Sequence, residues 1–203
     1  MTVEQTAARP VGRRRDPERD AAIVQATLDV LAETGYEGMT VDMVASRAKA
    51  GKATLYRRWP SKAHLVVGAI ASLTETNVTL SDVPDSGSFT ADLATMKKAS
   101  GHSNIGLKMQ ILAGLTPSLA SDPELAAIIR EQLIAPRTTL MRGLLLRAVE
   151  RGEIAPDRDL DALALIVPSM MFYRCAVLGQ PVTLESHQSL IDEILLPAVG
   201  LRP

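Results

Sequence analysis

Six basic side chains cluster within residues 38–65, a window that holds one acidic residue, Asp42, and therefore carries a net charge of +5. The whole chain has 203 residues and a net charge of −1. A compact basic patch on a weakly acidic protein favours a polyanionic partner, because lysine and arginine neutralise phosphates. Charge alone also allows a simpler interpretation, a solvated helical face. The six residues are Arg47, Lys49, Lys52, Arg57, Arg58 and Lys62.

Two short helices joined by a tight turn account for the spacing of these residues. Thr40 is a good N-cap for a helix that runs to about Ala48. The next helix is expected from Lys52 to Trp59, with Leu55 and Trp59 on its inner face. The major groove of DNA admits one α-helix, which a short preceding helix braces against the backbone. The pattern predicts a helix-turn-helix whose second helix turns these side chains partly or wholly outward: Lys52, Ala53, Thr54, Arg57 and Arg58.

Helical patterns account for the rest of the chain, and no stretch shows the alternation of a β-strand. A first helix is expected from Asp16 to a C-cap at Gly35, and a fourth from Ser61 to about Thr76. Later helices are expected at 89–101, 104–120, 122–151, 159–178 and 184–198, after a loop at 77–88, and Pro136 predicts a kink within 122–151. The predicted fold class is all-α with about nine helices.

The sequence around the two short helices resembles the signature of TetR-family transcriptional regulators. The resemblance covers residues 16–66 and includes Gly35, the aromatic Tyr36 and the Thr40 cap. It is specific, because Thr-Leu-Tyr, a following aromatic residue and Ser-Lys occur in register. These elements stand in two runs, TVDMVASRA at 40–48 and GKATLYRRWPSK at 51–62.

This resemblance implies a domain organisation and a set of partners. It implies a three-helix DNA-binding domain at 16–62. Composition predicts a flexible basic arm at 1–15, and length and helical pattern, together with the resemblance, indicate a ligand-binding and dimerisation domain at 63–203. The family resemblance further implies a homodimer that binds palindromic double-stranded operator DNA and releases it when a small-molecule effector enters the C-terminal domain. Apolar stripes on the last two helices favour dimerisation through them. The expected function is that of a ligand-responsive transcriptional regulator acting as a repressor.

Carried over by position, the resemblance also assigns individual DNA contacts. Tyr56 matches the family's phosphate-contacting tyrosine, and Lys62 matches the lysine that meets phosphate at the start of the fourth helix. Thr40 would approach phosphate with its hydroxyl and its helix N-terminus. The remaining contacts, to base edges or nearby phosphates, fall to Lys52, Ala53, Thr54, Arg57 and Arg58.

Three features near this motif need separate interpretation. Arg13, Arg14 and Arg15 form an arm that either enters the minor groove, where negative potential favours guanidinium, or serves as a solubilising tail. Lys49 stands where the family's turn usually has glycine, and a left-handed backbone there would cost lysine roughly 1 kcal/mol. Lys49 is also placed for a phosphate contact. Trp59 replaces the usual phenylalanine and is expected to pack.

Methionines recur on the C-terminal helices, and methionine suits adaptable ligand pockets. Each methionine also suits an ordinary core, so both interpretations stay open. Together with polar side chains on the same helices, they predict a mostly apolar effector cavity. The expected lining residues are Met96, His102, Met109, Met141, Met170, Tyr173 and Arg174.

Other classes of protein lack the residues that they require. The single cysteine, Cys175, excludes an internal disulfide and a multi-cysteine metal site. The three histidines, His64, His102 and His187, share no metal-ligand spacing. Phosphate-loop, dinucleotide and nucleophile–base patterns are absent from the sequence. We therefore expect neither an enzyme nor a bound cofactor.

The longest strongly apolar stretch, residues 163–173, is too short to span a bilayer, and the first twenty residues lack a signal-peptide core. We therefore expect a cytoplasmic protein without a membrane partner. One alternative function remains: a helical dimeric protein that binds a small molecule and has lost DNA binding, for which Lys49 is the only support.

Overall fold

The computed structural model describes residues 17–73, 78–100 and 104–202, and regular structure within these ranges is helical, without a strand. The predicted all-α fold with about nine helices is confirmed. The helices are α1 (Pro17–Gly38), α2 (Val41–Arg47), α3 (Lys52–Tyr56), α4 (Lys62–Ser72), α5 (Phe89–Ala99), α6 (Ile105–Ser121), α7 (Pro123–Ile129, a π-helical turn Arg130–Ile134, and Ala135–Glu150), α8 (Leu160–Ala176) and α9 (Leu184–Leu190, a π-helical turn Ile191–Leu195, and Leu196–Ala198). A short 3-10 helix, Leu80–Asp82, lies in the segment predicted as a loop.

Side-chain caps begin the helices where the sequence predicts them. Thr40 Oγ1 accepts a hydrogen bond of 3.2 Å from the backbone N–H of Met43. Asp122 Oδ1 accepts one of 2.9 Å from the N–H of Leu125, which begins α7. Such bonds satisfy donors that a helix leaves unpaired at its first turn. Ser61 and Asp159 cap α4 and α8 in the same way.

Helix α3, the second helix of the predicted helix-turn-helix, is shorter than expected, since it ends at Tyr56 rather than at Trp59. The chain continues as hydrogen-bonded turns, in which the N–H groups of Arg58 and Trp59 both donate to the carbonyl of Leu55, at 2.9 and 2.8 Å. Pro60 accounts for the end of helical geometry at Trp59, because a proline disfavours that geometry at the residue before it. The expected inward placement of Leu55 is correct, since this side chain is buried.

Buried apolar side chains form two separate cores. The first core joins α1 to α4 with the later half of α6 and the beginning of α7, so it includes Leu55, Leu115 and Leu133. The second core joins α5, the later half of α7, α8 and α9. The first core therefore contains side chains from both sides of the predicted domain boundary at residues 62 and 63.

The kink expected at Pro136 is present as a π-helical turn, Arg130–Ile134, directly before the proline. Proline cannot donate to the carbonyl four residues earlier, and its ring crowds that carbonyl, so the helix widens there. The π-helical turn of α9 likewise precedes a proline, Pro197. None of the helices in the described ranges is both long enough and apolar enough to cross a membrane.

Gly35 breaks α1 and turns the chain toward α2. Its φ of 68° and ψ of 174° lie in a region that is essentially restricted to glycine. A Cβ built on Gly35 would meet no atom within 4 Å, so any penalty for a side chain arises from the backbone alone.

We expect Gly35→Ala to lower the free energy of unfolding by about 1–3 kcal/mol, because alanine must adopt this unfavourable backbone geometry. Urea denaturation followed by circular dichroism measures the change. Gly114→Ala is the matched control, because Gly114 lies in the regular helix α6 and its added Cβ also meets nothing within 4 Å. The control should be neutral or stabilising by up to about 1 kcal/mol. Equal losses in the two variants would contradict the prediction.

Candidate nucleic-acid interface

The turn between α2 and α3 keeps the geometry of a helix-turn-helix although it lacks the expected glycine. Lys49 has a φ of +49°, and it is the one non-glycine residue with positive φ in the described part of the chain. The backbone strain expected for lysine at this position is therefore present. Two hydrogen bonds close the turn: the N–H of Lys49 donates to Ser46 at 3.2 Å, and the N–H of Ala50 donates to Ala45 at 2.9 Å. These bonds offset the strain.

Helix α3 is held by one buried side chain and presents the others outward. Leu55 is 1% exposed and packs in the first core. Trp59 is half-buried against the same core, as expected for the residue that replaces phenylalanine. Its indole lies against Gly68 of α4, where a Cβ would come within 2.5 Å of Nε1. Lys52, Ala53, Tyr56 and Arg57 are exposed, while Thr54 and Arg58 are half-buried.

Three of the six basic side chains already pair with carboxylates. Lys52 Nζ lies 2.8 Å from an oxygen of Asp42, and this hydrogen bond raises the pKa of Lys52. Arg47 makes two hydrogen bonds, of 2.7 and 2.6 Å, with Glu33. Arg58 pairs with Asp20 of α1. Lys49 and Arg57, in contrast, have no acidic partner among the described residues.

Lys62 contacts Tyr36 twice instead of projecting freely into solvent. Its Nζ donates to the carbonyl of Tyr36 at 3.0 Å and lies 4.1 Å from the centre of the Tyr36 ring. Cation–π contacts of this kind are worth about 0.5–1 kcal/mol at exposed sites. The phosphate contact expected for Lys62 stays a prediction, and this lysine also has a structural partner.

The Tyr36 hydroxyl links α1 to the first turn of α7. It donates a hydrogen bond of 2.7 Å to Oδ2 of Asp122, the residue that caps α7. Burial raises the pKa of Tyr36, and the hydrogen bond to Asp122 raises it further. The bond from the Leu125 N–H, followed by that from Tyr36, lowers the pKa of Asp122. At neutral pH the pair is therefore a neutral phenol that donates to a carboxylate.

The residues predicted for the effector cavity fall in two places. Met96, Met109 and Met141 are partly buried against the second core. Tyr173 and Arg174 line an open groove of about 390 Å³ together with Ser169 and Leu178. Met170 also lines this groove, and it packs against the second core as well. His102 and the arm residues Arg13, Arg14 and Arg15 lie outside the described residues.

Sequence reasoning missed two features of the molecule. The hydrogen bond between Tyr36 and Asp122 joins residues 86 positions apart, and no local sequence pattern predicts it. Lys108 is buried at 4% exposure in α6. A signal for Lys108 was present, because it stands four and seven residues before Leu112 and Leu115 and so shares their apolar face.

Two family models match the chain. The model described as "Bacterial regulatory proteins, tetR family" matches residues 23–69, and the model described as "Tetracyclin repressor-like, C-terminal domain" matches residues 83–194. The chain belongs to the TetR family. The helix-turn-helix lies inside the first match, so the resemblance seen in the sequence is confirmed.

Relatives over nearly the whole length support the same assignment. An HTH-type transcriptional regulator of Mycobacterium tuberculosis is 32% identical over 198 residues, which cover 97% of this chain and 96% of the relative. A DNA-binding transcriptional repressor, TetR, of Mycobacteroides abscessus is 32% identical over 193 residues, which cover 93% and 97%. A solved TetR family transcription regulator superposes with a TM-score of 0.59 at 27% identity, covering 88% of this chain and 97% of that one. This TetR-family protein is a ligand-responsive transcriptional regulator and not an enzyme.

Asp42 opposes the binding of a polyanion, because its carboxylate pairs with Lys52 and adds negative charge beside α3. We expect Asp42→Asn to strengthen binding to any DNA duplex at low salt. The slope of log affinity against log salt concentration should become steeper by about 1, as one more cation becomes available to phosphate. Fluorescence anisotropy with a labelled duplex at several salt concentrations measures both quantities.

Glu185→Gln is the control, because this exposed carboxylate lies on α9, far along the chain from α3, and the substitution removes the same charge. If both variants raised the affinity equally, the effect would be one of net charge, and the local role of Asp42 would be wrong.

Proposed function

We propose that this TetR-family regulator is a repressor that binds a palindromic operator as a homodimer and leaves it when a small molecule binds the C-terminal helices. Each protomer places α3 in a major groove, with the two half-sites about one helical turn, roughly 34 Å, apart. The outer face of α3 carries this proposal, since Lys52, Tyr56 and Arg57 are exposed while Leu55 anchors the helix in the first core.

Phosphate and base contacts have separate roles in this proposal. Lys49, Tyr56 and Lys62, with the hydroxyl of Thr40, lie around α3 and supply phosphate contacts that fix the register and make binding sensitive to salt. Lys52, Ala53, Thr54, Arg57 and Arg58 supply sequence discrimination. Lys52 and Arg58 must exchange their carboxylate partners for phosphate or bases, so part of the Coulomb attraction offsets the loss of those ion pairs.

Dimerisation through α8 and α9 is supported by the large apolar side chains that these helices expose. Tyr173, in α8, is 55% exposed, and Val177, directly after α8, is 62% exposed. Two helices from each protomer with such faces form a four-helix interface that removes the apolar surface from water. The other exposed apolar side chains of this surface are Leu165, Leu178, Leu184 and Ile194.

The route from effector to DNA runs through α6 and α7 in this proposal. Helix α6 packs against both α1 and α8, and α7 packs against α4. The bond between Tyr36 and Asp122 ties the first turn of α7 to the end of α1. An effector that binds more tightly to a different arrangement of α6 and α7 would move the DNA-binding helices and change the spacing of the two α3 helices. The regulator acts in the cytoplasm, where its operator is.

A second candidate is a dimeric small-molecule-binding protein that has lost DNA binding. The positive φ of Lys49 favours it, because this residue strains the turn that positions α3. The two hydrogen bonds that close the turn favour the repressor. Footprinting on the DNA upstream of the protein's own gene separates the two, since the second candidate leaves no protected site.

We expect Tyr56→Ala to weaken operator binding about 10- to 100-fold and to leave the dimer intact. The substitution removes a hydrogen bond to a charged phosphate, which is worth about 1.5–3 kcal/mol. Gel-shift titration on the footprinted duplex measures affinity, and sedimentation equilibrium measures the oligomeric state. Tyr173→Ala should weaken the dimer, because Tyr173 lies on the proposed dimer surface, and operator affinity should fall with it. Unchanged operator affinity in Tyr56→Ala would contradict the assigned phosphate contact.

We expect Tyr36→Phe and Asp122→Asn to have non-additive effects on operator affinity. Each substitution alone disrupts the hydrogen bond between the two side chains, so the double variant should lose little more than either single variant. Gel-shift titration of all four proteins gives the coupling. Asparagine still caps a helix, and phenylalanine keeps the buried ring, so the fold should persist. Strictly additive effects would show that this bond does not link α7 to DNA binding.

A further inference from the structure

Helices α6 and α7 each contribute side chains to both cores. Part-way along each helix, the inward side chains change from packing in one core to packing in the other. In α6, Met109 packs against the second core, whereas Leu112 packs against the first. In α7, Leu133 belongs to the first core and Leu140 to the second. We use the word seam for this level of the molecule, residues 108–111 of α6 and 134–139 of α7.

Two cations lie at the seam, and the described residues provide no anion for either. Lys108 is 4% exposed and takes part in no hydrogen bond or ion pair within the described part of the chain. Arg137, on α7, is near enough for its charge to lower the pKa of Lys108, and it too has no acidic partner among the described residues. Asp92, a buried carboxylate elsewhere in the molecule, is by contrast paired with Arg151 and Ser86. Lys108 is therefore a buried charge without compensation.

A lysine side chain that is almost fully buried without a counter-charge is unfavourable, and a like charge beside it adds to the penalty. Burial, followed by the charge of Arg137, lowers the pKa of Lys108 to about 8, so the group is still largely protonated at pH 7. An apolar residue such as methionine would fill the same space without this penalty. The position suits an anion that is not part of the chain.

We propose that Lys108 and Arg137 form an anion-binding site at the seam, and that its ligand is a small organic oxyanion, a carboxylate or a phosphate monoester, with an apolar body. Met109 and Leu112, which are only partly buried against the second and the first core, suit the body of the ligand. Arg137 is exposed while Lys108 is buried, so the site opens to solvent at Arg137. The ligand is the effector of the proposed function, on which this inference rests.

The position of the seam explains how such a ligand would act. An oxyanion drawn between Lys108 and Arg137 brings together α6, which packs on α1, and the kinked part of α7. The π-helical turn Arg130–Ile134 overlaps the seam at Ile134, and π-helical turns inside α-helices are frequent at functional sites. A ligand there alters the packing of α6 and α7 against the DNA-binding helices.

Titration with three matched probes tests the site. Decanoate and decyl phosphate carry the two kinds of oxyanion, and decanol is the uncharged control. In isothermal titration calorimetry at pH 7, at least one of the anions is expected to bind the wild-type protein at least tenfold more tightly than decanol. The better anion identifies the head group. If neither anion binds better than decanol, the proposal is overturned.

Lys108→Met separates a ligand-binding lysine from a structural one. We expect this variant to lose at least tenfold in affinity for the anion while its melting temperature without ligand rises, because an uncompensated buried charge is removed. Lys98→Met is the control, since Lys98 is exposed on α5, and it should change neither quantity. A lower melting temperature with unchanged anion affinity would overturn the proposal. Should Lys108→Met fail to fold, Arg137→Gln, at an exposed position, must still weaken anion binding.

Operator release is measured separately. The anion that binds should dissociate the complex with the footprinted duplex, while decanol should not. Binding that leaves the complex intact would overturn the assignment of this site to the effector. Failure of the unliganded protein to bind any upstream duplex would instead contradict the proposed function, and the calorimetric test of the anion site would remain readable.

Discussion

The burial of Leu55 is the constraint on which the DNA-binding surface depends. Helix α3 has five residues, too few to be stable by itself, and Leu55 is its one fully buried side chain. The core that receives Leu55 also contains Leu115 and Leu133 from α6 and α7. The orientation of α3 is therefore set by packing that includes the C-terminal helices. A shift of those helices would change the orientation of α3.

The basic patch around α3 carries less unpaired positive charge than its sequence suggests. The six basic residues of the patch include three that pair with carboxylates, among them Asp42 and Glu33. Exposed ion pairs contribute little to stability, so their exchange for phosphate contacts requires little free energy. The arrangement keeps the patch attractive to DNA and limits the net charge that it presents in the absence of DNA.

Two polar features lie between the DNA-binding helices and the rest of the molecule. The hydrogen bond between Tyr36 and Asp122 is satisfied and joins α1 to α7. The side chain of Lys108, at the seam, is nearly buried and has no acidic partner among the described residues. A satisfied bond holds one arrangement, whereas an uncompensated charge favours whatever arrangement supplies an anion.

Local signals in the sequence were sufficient for the fold class, the helix starts at Thr40, Ser61, Asp122 and Asp159, and the helix-turn-helix itself. Caps, helical periodicity and the motif all lie within a few turns of chain, where geometry follows directly from residue type. The end of α3 was predicted three residues late, although Pro60 was visible. Tertiary structure alone decided which cations of the patch are paired, how Tyr36 reaches Asp122, and that Lys108 lies between two cores without an anion. These features depend on the packing of segments far apart in the chain, and periodicity along one helix carries no information about the charge on its neighbour.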